Sequence, residues 1–195
     1  MTTTLPFLKL FNSENNYFDQ PREVLQVNRE HIRTYLRDMK GYNKAQVSQY
    51  LAAYDYFVCF PLDFDGATMT EDLPDIGKLE LCAMLHDYLY INFNCSGNFL
   101  YRWRVDKLFR NEMTRQNKGS WHRTVRFVLL VWAAFPHTPY TYLFKKRKMT
   151  YGQKISVDGI LTVLNQQFPR LWHKEFRNEI TFVVSLIILF TFILI

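Results

Sequence analysis

In the stretch AMLHDYLY, Ala83 to Tyr90, a histidine and a carboxylate stand side by side in an otherwise apolar, helix-forming run. A buried pair such as His86 and Asp87 costs desolvation unless its polar atoms are satisfied. A second carboxylate, Asp106, follows in YRWRVDKLFRNEM. A carboxylate on one ring nitrogen fixes the tautomer of an imidazole and leaves the other nitrogen to take a proton from water. Asp87, with backbone carbonyls of the loop before it, has the oxygen chemistry that holds a hard cation. Such an ion would polarise an ester carbonyl and stabilise the oxyanion. Base, orienter and Lewis acid together make a hydrolytic site. The plainer alternative for the same residues is a satisfied structural polar network.

The elements that must position these groups are helices. Leu79, Cys82, His86, Leu89, Tyr90 and Phe93 recur at three- and four-residue spacing and share one face. Asp87 lies about 100° round from His86, towards the acidic loop. This helix is expected from near Lys78 to about Phe93, where NCSGN breaks it. A second, from about Leu100 to Arg115, turns Val105, Leu108 and Phe109 inward and sets Asp106 at the edge of that stripe. A short glycine-containing connection makes the two antiparallel neighbours, within reach of a His86–Asp106 contact.

Elsewhere, residues 1–27 look irregular, and NREHIRTYLRDMKGYNKAQVSQYLAAYDYF reads as two helical pieces split near Gly41. VCFPLDFDGATMTEDLPDIG is a loop, WHRTVRFVLLVWAAF an apolar helix stopping at Pro136, and the rest to Phe168 is mixed, with turns at Tyr151-Gly152 and Asp158-Gly159. No segment alternates with period two, so the fold is expected to be mainly α with at most a small hairpin.

Hydrophobic content of 48% and aromatic content of 17% over 195 residues suit a packed core rather than disorder. The net charge of +6 is uneven. Acidic groups gather in Asp63, Asp65, Glu71, Asp72 and Asp75, whereas basic groups dominate from Arg102 to the run Lys145, Lys146, Arg147, Lys148. A basic second half suits phosphate-bearing partners, lipid or nucleic acid. Cys59, Cys82 and Cys95 are too few for a disulfide framework and lack zinc-site spacing. No signal peptide is evident in MTTTLPFLKLF.

The tail EITFVVSLIILFTFILI carries no charge from Ile180 to Ile195. As a helix it would span about 24 Å, against about 30 Å of hydrocarbon, so Lys174 and Arg177 would have to snorkel or the bilayer thin. It is expected to be a C-terminal anchor, which favours a phospholipid membrane as partner over any specific nucleic acid. The alternative is a buried terminal helix or an oligomerisation element.

A loop, a helix with His-Asp and a tyrosine three residues beyond the Asp, then a second helix offering Asp, resembles the phospholipase A2 superfamily, in particular the compact, disulfide-poor phospholipase domain of parvovirus capsid proteins. HDYLY and VDKLF carry the likeness. LHDYLY with RVDKLFRNEM also resembles an uncharacterised bacteriophage domain family. The likeness spans roughly Gly66 to Phe135. It implies His86 as general base, Asp106 as its orienter, Tyr90 as a support through its hydroxyl, and Asp87 as a calcium ligand. Gly66 lies where the calcium loop would offer carbonyl oxygens. That loop is poorer in glycine than the family's, and Asp65 or Asp72 could compensate. It is not an EF-hand loop.

The organisation expected is a helical extension over 1–60, a phospholipase A2-like core over 61–172 and an anchor over 173–195, in a phage or similar viral protein. Four functions compete: a calcium-assisted phospholipid acyl hydrolase, a non-enzymatic membrane-anchored virion or assembly protein with homo-oligomer or virion partners, a metal-dependent HD-type phosphohydrolase with His31 and Asp158 as outer ligands, and, behind these, a nucleic-acid module binding in a salt-dependent way through Lys145 to Lys148 and Arg102 to Arg126.

Overall fold

A computed structural model of the chain describes residues 18, 20–64, 76–116, 139, 142–145 and 147–166. Among these are five α-helices and no strand: α1 (Arg22–Thr34), α2 (Lys44–Cys59), α3 (Ile76–Asn92), α4 (Phe99–Gln116) and α5 (Tyr151–Asn165). The fold is mainly α, as the sequence implies. The apolar helix expected in WHRTVRFVLLVWAAF and the anchor expected over 173–195 lie outside the described residues, and among those described no helix is long and apolar enough to cross a membrane.

Local chemistry explains where each helix starts and stops. The first begins at Arg22, earlier than expected, because Pro21 presets the entry and Glu23 complements the positive end of the helix. It runs on through a π turn, Tyr35–Met39, and ends where Gly41, at φ 68°, reverses the chain so that the Tyr42 amide donates to the Leu36 carbonyl at 3.0 Å. Asn43 and Gln46 then form a reciprocal capping box on α2, with side chains accepting from each other's backbone amides at 2.9 and 3.1 Å.

The turns expected at Tyr151-Gly152 and Asp158-Gly159 are not turns. Both glycines sit inside α5, which starts on a second capping box between Thr150 and Gln153 and buries Val157, Ile160, Leu161 and Leu164. Two helix-interior glycines cost about 1 kcal/mol each relative to alanine, less than that apolar face gains. Burial overrode a local signal.

α4 packs antiparallel on α3: His86 faces Asp106 and Phe109, and Tyr90 faces Arg102 and Asp106. α2 lies against the other side of α3, α1 against α2, and α5 closes over α2 and α4. One hydrophobic cluster draws from all five helices, running from Leu25 and Ile32 through Tyr50 and Phe57 to Leu85, Val105 and Leu164, so residues before and after 60 share a core. The 3-10 turn Cys95–Gly97 joins α3 to α4 after Asn94, at φ 56°. A Cβ on Gly97 would lie 1.7 Å from the Arg147 carbonyl oxygen, so the strand of chain entering α5 rests directly on this link.

Inside the bundle, Glu112 of α4 is fully buried. Its Oε2 accepts from the hydroxyls of Tyr42 and Tyr50, each at 2.5 Å, and Arg115 lies 3.4 Å from the Tyr42 ring centroid. Burial pushes both phenols well up, helped by the Glu112 charge, so they remain donors. Burial also raises the Glu112 carboxyl above its ordinary value despite those two hydrogen bonds. A carboxyl raised on folding holds its proton more tightly in the native state, so the stability it allows at low pH is eroded as pH climbs. Glu112→Gln keeps an oxygen for both tyrosines and removes the titration. Relative to the wild type it should gain stability between about pH 4 and about pH 7, measured by denaturant unfolding at both. A constant difference would show that Glu112 does not titrate on folding.

Candidate functional site

The site is built on facing turns of α3 and α4. α3 is buried all round from Leu81 to His86; Cys82 packs with Phe109 and Met113 of α4, His86 contacts Asp106 and Phe109, and Tyr90 is half-buried beside them. Val105, Leu108 and Phe109 of α4 are buried opposite. Asp106 is not at the edge of that stripe, as its position on the wheel suggested; it is wholly inside. An ionised carboxylate there must be hydrogen-bonded or paired.

Its partners are the residues the sequence brought forward. His86 Nε2 lies 3.0 Å from Asp106 Oδ1, and the Tyr90 hydroxyl donates to the same oxygen. The Tyr90 phenol is held well above its ordinary range, by burial first and by the Asp106 charge second, so it stays a donor. The Phe109 ring packs against the imidazole with centroids 5.0 Å apart, and the Tyr90 ring does so at 4.1 Å, both tilted. The imidazole is clamped in position by two rings and a carboxylate.

The second nitrogen is occupied as well. Asp87 Oδ1 stands 3.1 Å from His86 Nδ1, although neighbouring helical residues usually diverge. Burial alone would lower the His86 pKa; hydrogen bonds to Asp106 and Asp87 and their charges outweigh it, and the ring is pushed up to about 9. With both carboxylates in place, His86 therefore holds its proton at neutral pH. Access of water to Nδ1 requires Asp87 Oδ1 to give up this position.

Sequence reasoning missed Arg102. It is buried, its guanidinium carbon is 5.4 Å from the Tyr90 ring centroid, and its Nε is 3.9 Å from Asp106 Oδ2, an oxygen that accepts no hydrogen bond among the described residues. The available signal was its position four residues before Asp106 on one helix. The guanidinium offsets the carboxylate and stacks on the tyrosine that binds it. The Tyr42–Tyr50–Glu112 cluster was missed too, because its members come from distant segments.

Of the groups expected to hold calcium, only Asp87 is among the described residues; Asp65, Gly66 and Asp72 lie outside them. Among the described residues no cluster of three or more His, Cys, Asp or Glu side chains could hold a metal ion. One carboxylate suits the ion but does not make a donor set. As for the outer ligands of the phosphohydrolase alternative, Asp158 accepts from Arg104 at 2.6 Å and from the Tyr101 hydroxyl at 3.0 Å, and His31 sits half-buried on α1. Cys82 and Cys95 are buried thiols, the latter pushed up to about 12 by burial and by Asp106, and Cys59 is an exposed one.

No protein-family model, curated protein or solved structure matches this chain. The functional argument therefore stands on these residues and their chemistry.

Tyr90→Phe removes one of the two hydrogen bonds to Asp106 without changing the packed ring. A hydrogen bond to a buried charge is worth about 2 kcal/mol, so the variant should unfold at correspondingly lower denaturant. A loss under about 0.5 kcal/mol would mean that Tyr90 does not stabilise the carboxylate.

Proposed function

We propose that the chain is a membrane-associated hydrolase of phospholipid acyl esters, with His86 as the base that activates water. The observation that carries this is the His86 Nε2–Asp106 Oδ1 contact, buttressed by the Tyr90 hydroxyl on the same carboxylate, across an antiparallel helix pair. The carboxylate holds the Nε2 proton and so directs Nδ1 towards the substrate side. Asp106 also stabilises the imidazolium that forms as water attacks, and the Tyr90 hydroxyl, with Arg102 beside the other oxygen, holds that carboxylate in place. Asp87 is the movable member, because its side chain is a fifth exposed while that of Asp106 is enclosed. If calcium is held by Asp87, with donors from the 63–75 loop, it would supply Lewis-acid polarisation of the ester carbonyl. The lipid as substrate class, a viral or phage source and attachment through the C-terminal tail are drawn from the resemblance of HDYLY and VDKLF and from the apolar tail.

A second proposal has its own support. Both ring nitrogens of His86 face carboxylates, which is also how a purely structural polar cluster satisfies itself. In that case the chain is a non-enzymatic membrane-anchored virion or assembly protein keeping a relic site.

Fatty-acid release from mixed phospholipid vesicles, with calcium and with chelator, separates the two. Release is expected with calcium and should fall by about 10²–10⁴-fold in His86→Gln, a variant that retains a donor for Asp106. Asp106→Asn should slow turnover through a misoriented imidazole. Undiminished release in His86→Gln would remove His86 from the chemistry, and no release from the wild type in either condition would leave the scaffold proposal standing.

A further inference from the structure

The exposed apolar side chains are not scattered. Of the eleven large hydrophobic side chains exposed among the described residues, all but Val27 and Met39 lie at one end of the bundle. That end is where α2 and α3 finish and α4 and α5 begin. Tyr56, near the end of α2, packs on Tyr88 of α3 with ring centroids 5.4 Å apart and on Phe60 at 4.9 Å. Gln153, in the first turn of α5, donates to the Asn92 carbonyl at the end of α3, at 3.2 Å. The Arg147 backbone rests on Gly97, two residues before α4 starts, and Lys148 lies 4.9 Å from the Tyr142 ring centroid. The segment around residues 142–150 is thus laid across the helix ends.

Three of these side chains are almost wholly in solvent: Leu62 at 88%, Tyr151 at 80% and Phe144 at 75% exposure. Leu100, Leu143 and Ile155 are each more than half exposed. Single exposed apolar residues need no explanation, but a cluster rimmed by charge marks an interaction surface. The charge here is positive. Lys145, Arg147 and Lys148 are exposed and Lys154 is half-exposed at this end. The nearby acidic groups are engaged: Asp63 accepts from the Tyr56 hydroxyl, Asp158 pairs with Arg104, and Asp55, a turn further back, pairs with Arg29.

The geometry points to this end of the bundle as a docking surface for an anionic phospholipid bilayer. Cations meet the headgroup phosphates, the two tyrosines sit at headgroup level, and the leucines, isoleucine and phenylalanines enter the acyl boundary. Nucleic acid is a poorer fit: the exposed aromatic rings could stack on bases, but Leu62, Leu100, Leu143 and Ile155 have no base to stack on and gain only by leaving water for an apolar phase. The surface is formed by Phe60 and Leu62 just after α2, Phe99 and Leu100 at the start of α4, the 142–145 segment and the first turns of α5, apart from the HDYLY and VDKLF stretches that carry the hydrolase resemblance. It deepens the lipid-hydrolase proposal, on which its purpose rests, by naming where the protein meets the bilayer that would hold its substrate.

The test places an environment-sensitive fluorophore at the surface of the full chain, through Leu143→Cys in a Cys59→Ser background, where the remaining cysteines are buried. Val27→Cys serves as the control. Chelator is present, so turnover plays no part. With phosphatidylcholine vesicles containing phosphatidylglycerol, the probe at 143 should shift to the blue and be quenched by doxyl-labelled lipid, and the probe at 27 should not. Lys145→Glu and Lys148→Glu should each weaken vesicle partitioning about fivefold or more, since one basic residue near an anionic surface contributes about 1 kcal/mol and about 1.4 kcal/mol is tenfold. A vesicle-bound protein whose probe at 143 is unquenched would overturn the docking surface, showing that other segments hold the membrane. Equal quenching on pure phosphatidylcholine would overturn the role of the cations. A blue shift that grows with protein concentration without lipid would assign the surface to a second copy of the chain instead. Failure of docking leaves hydrolysis of dispersed short-chain phospholipid unaffected, and failure of that hydrolysis leaves the quenching, so the two proposals fall separately.

Discussion

Two carboxylates buried on one helix govern this structure. Asp106 and Glu112 of α4 are both wholly enclosed, and an enclosed carboxylate without donors would outweigh much of the marginal stability of a domain this size. The bundle answers with donors from two other helices. α3 sends His86 and Tyr90 to Asp106, and α2, with the turn before it, sends Tyr50 and Tyr42 to Glu112. α4 is thereby fixed in register against both neighbours. Hydrophobic burial holds the helices together, but apolar contacts tolerate a slip of a turn that these hydrogen bonds do not.

The same constraint separates the two clusters. Around Glu112 every described partner is a neutral phenol or a ring-stacked arginine, and nothing there is poised to exchange with water. Around Asp106 the partners include an imidazole whose far nitrogen meets Asp87, a side chain partly open to solvent. Only the second arrangement places a ring nitrogen beside a partly exposed side chain. The distinction lies in exposure, since both carboxylates are bound with equal care.

The site pair was legible because its information is local. Leu79 to Phe93 repeats at helical spacing, the connection after Phe93 is short, and two helices so joined must face one another. The chemistry-bearing residues His86, Asp87, Tyr90 and Asp106 were found from those facts, and the structure brings them together. What escaped was information carried by tertiary packing. Gly152 and Gly159 read as turns because their local preference points there, yet the apolar stripe of α5 decides the outcome. Tyr42, Tyr50 and Glu112 have no sequence pattern linking them. Asp87 was expected to look towards the acidic loop; its contact with His86 Nδ1 depends on a side-chain rotation that helical periodicity does not specify.

The close approach at Gly97 has a consequence for descent. The link between α3 and α4 has no space for a methyl group beneath the Arg147 carbonyl, so the chain that positions the histidine and the chain that presents the basic, apolar end are seated on one atom-sized gap. Any lineage that keeps both must keep glycine there, and one that loses it must reshape the entry to α5 at the same time. Distant kin are therefore better sought by three coupled marks than by a His-Asp pair, which recurs by chance: HD with tyrosine a turn later, glycine at the helix link, and a basic approach to a capped helix such as Thr150-x-x-Gln153.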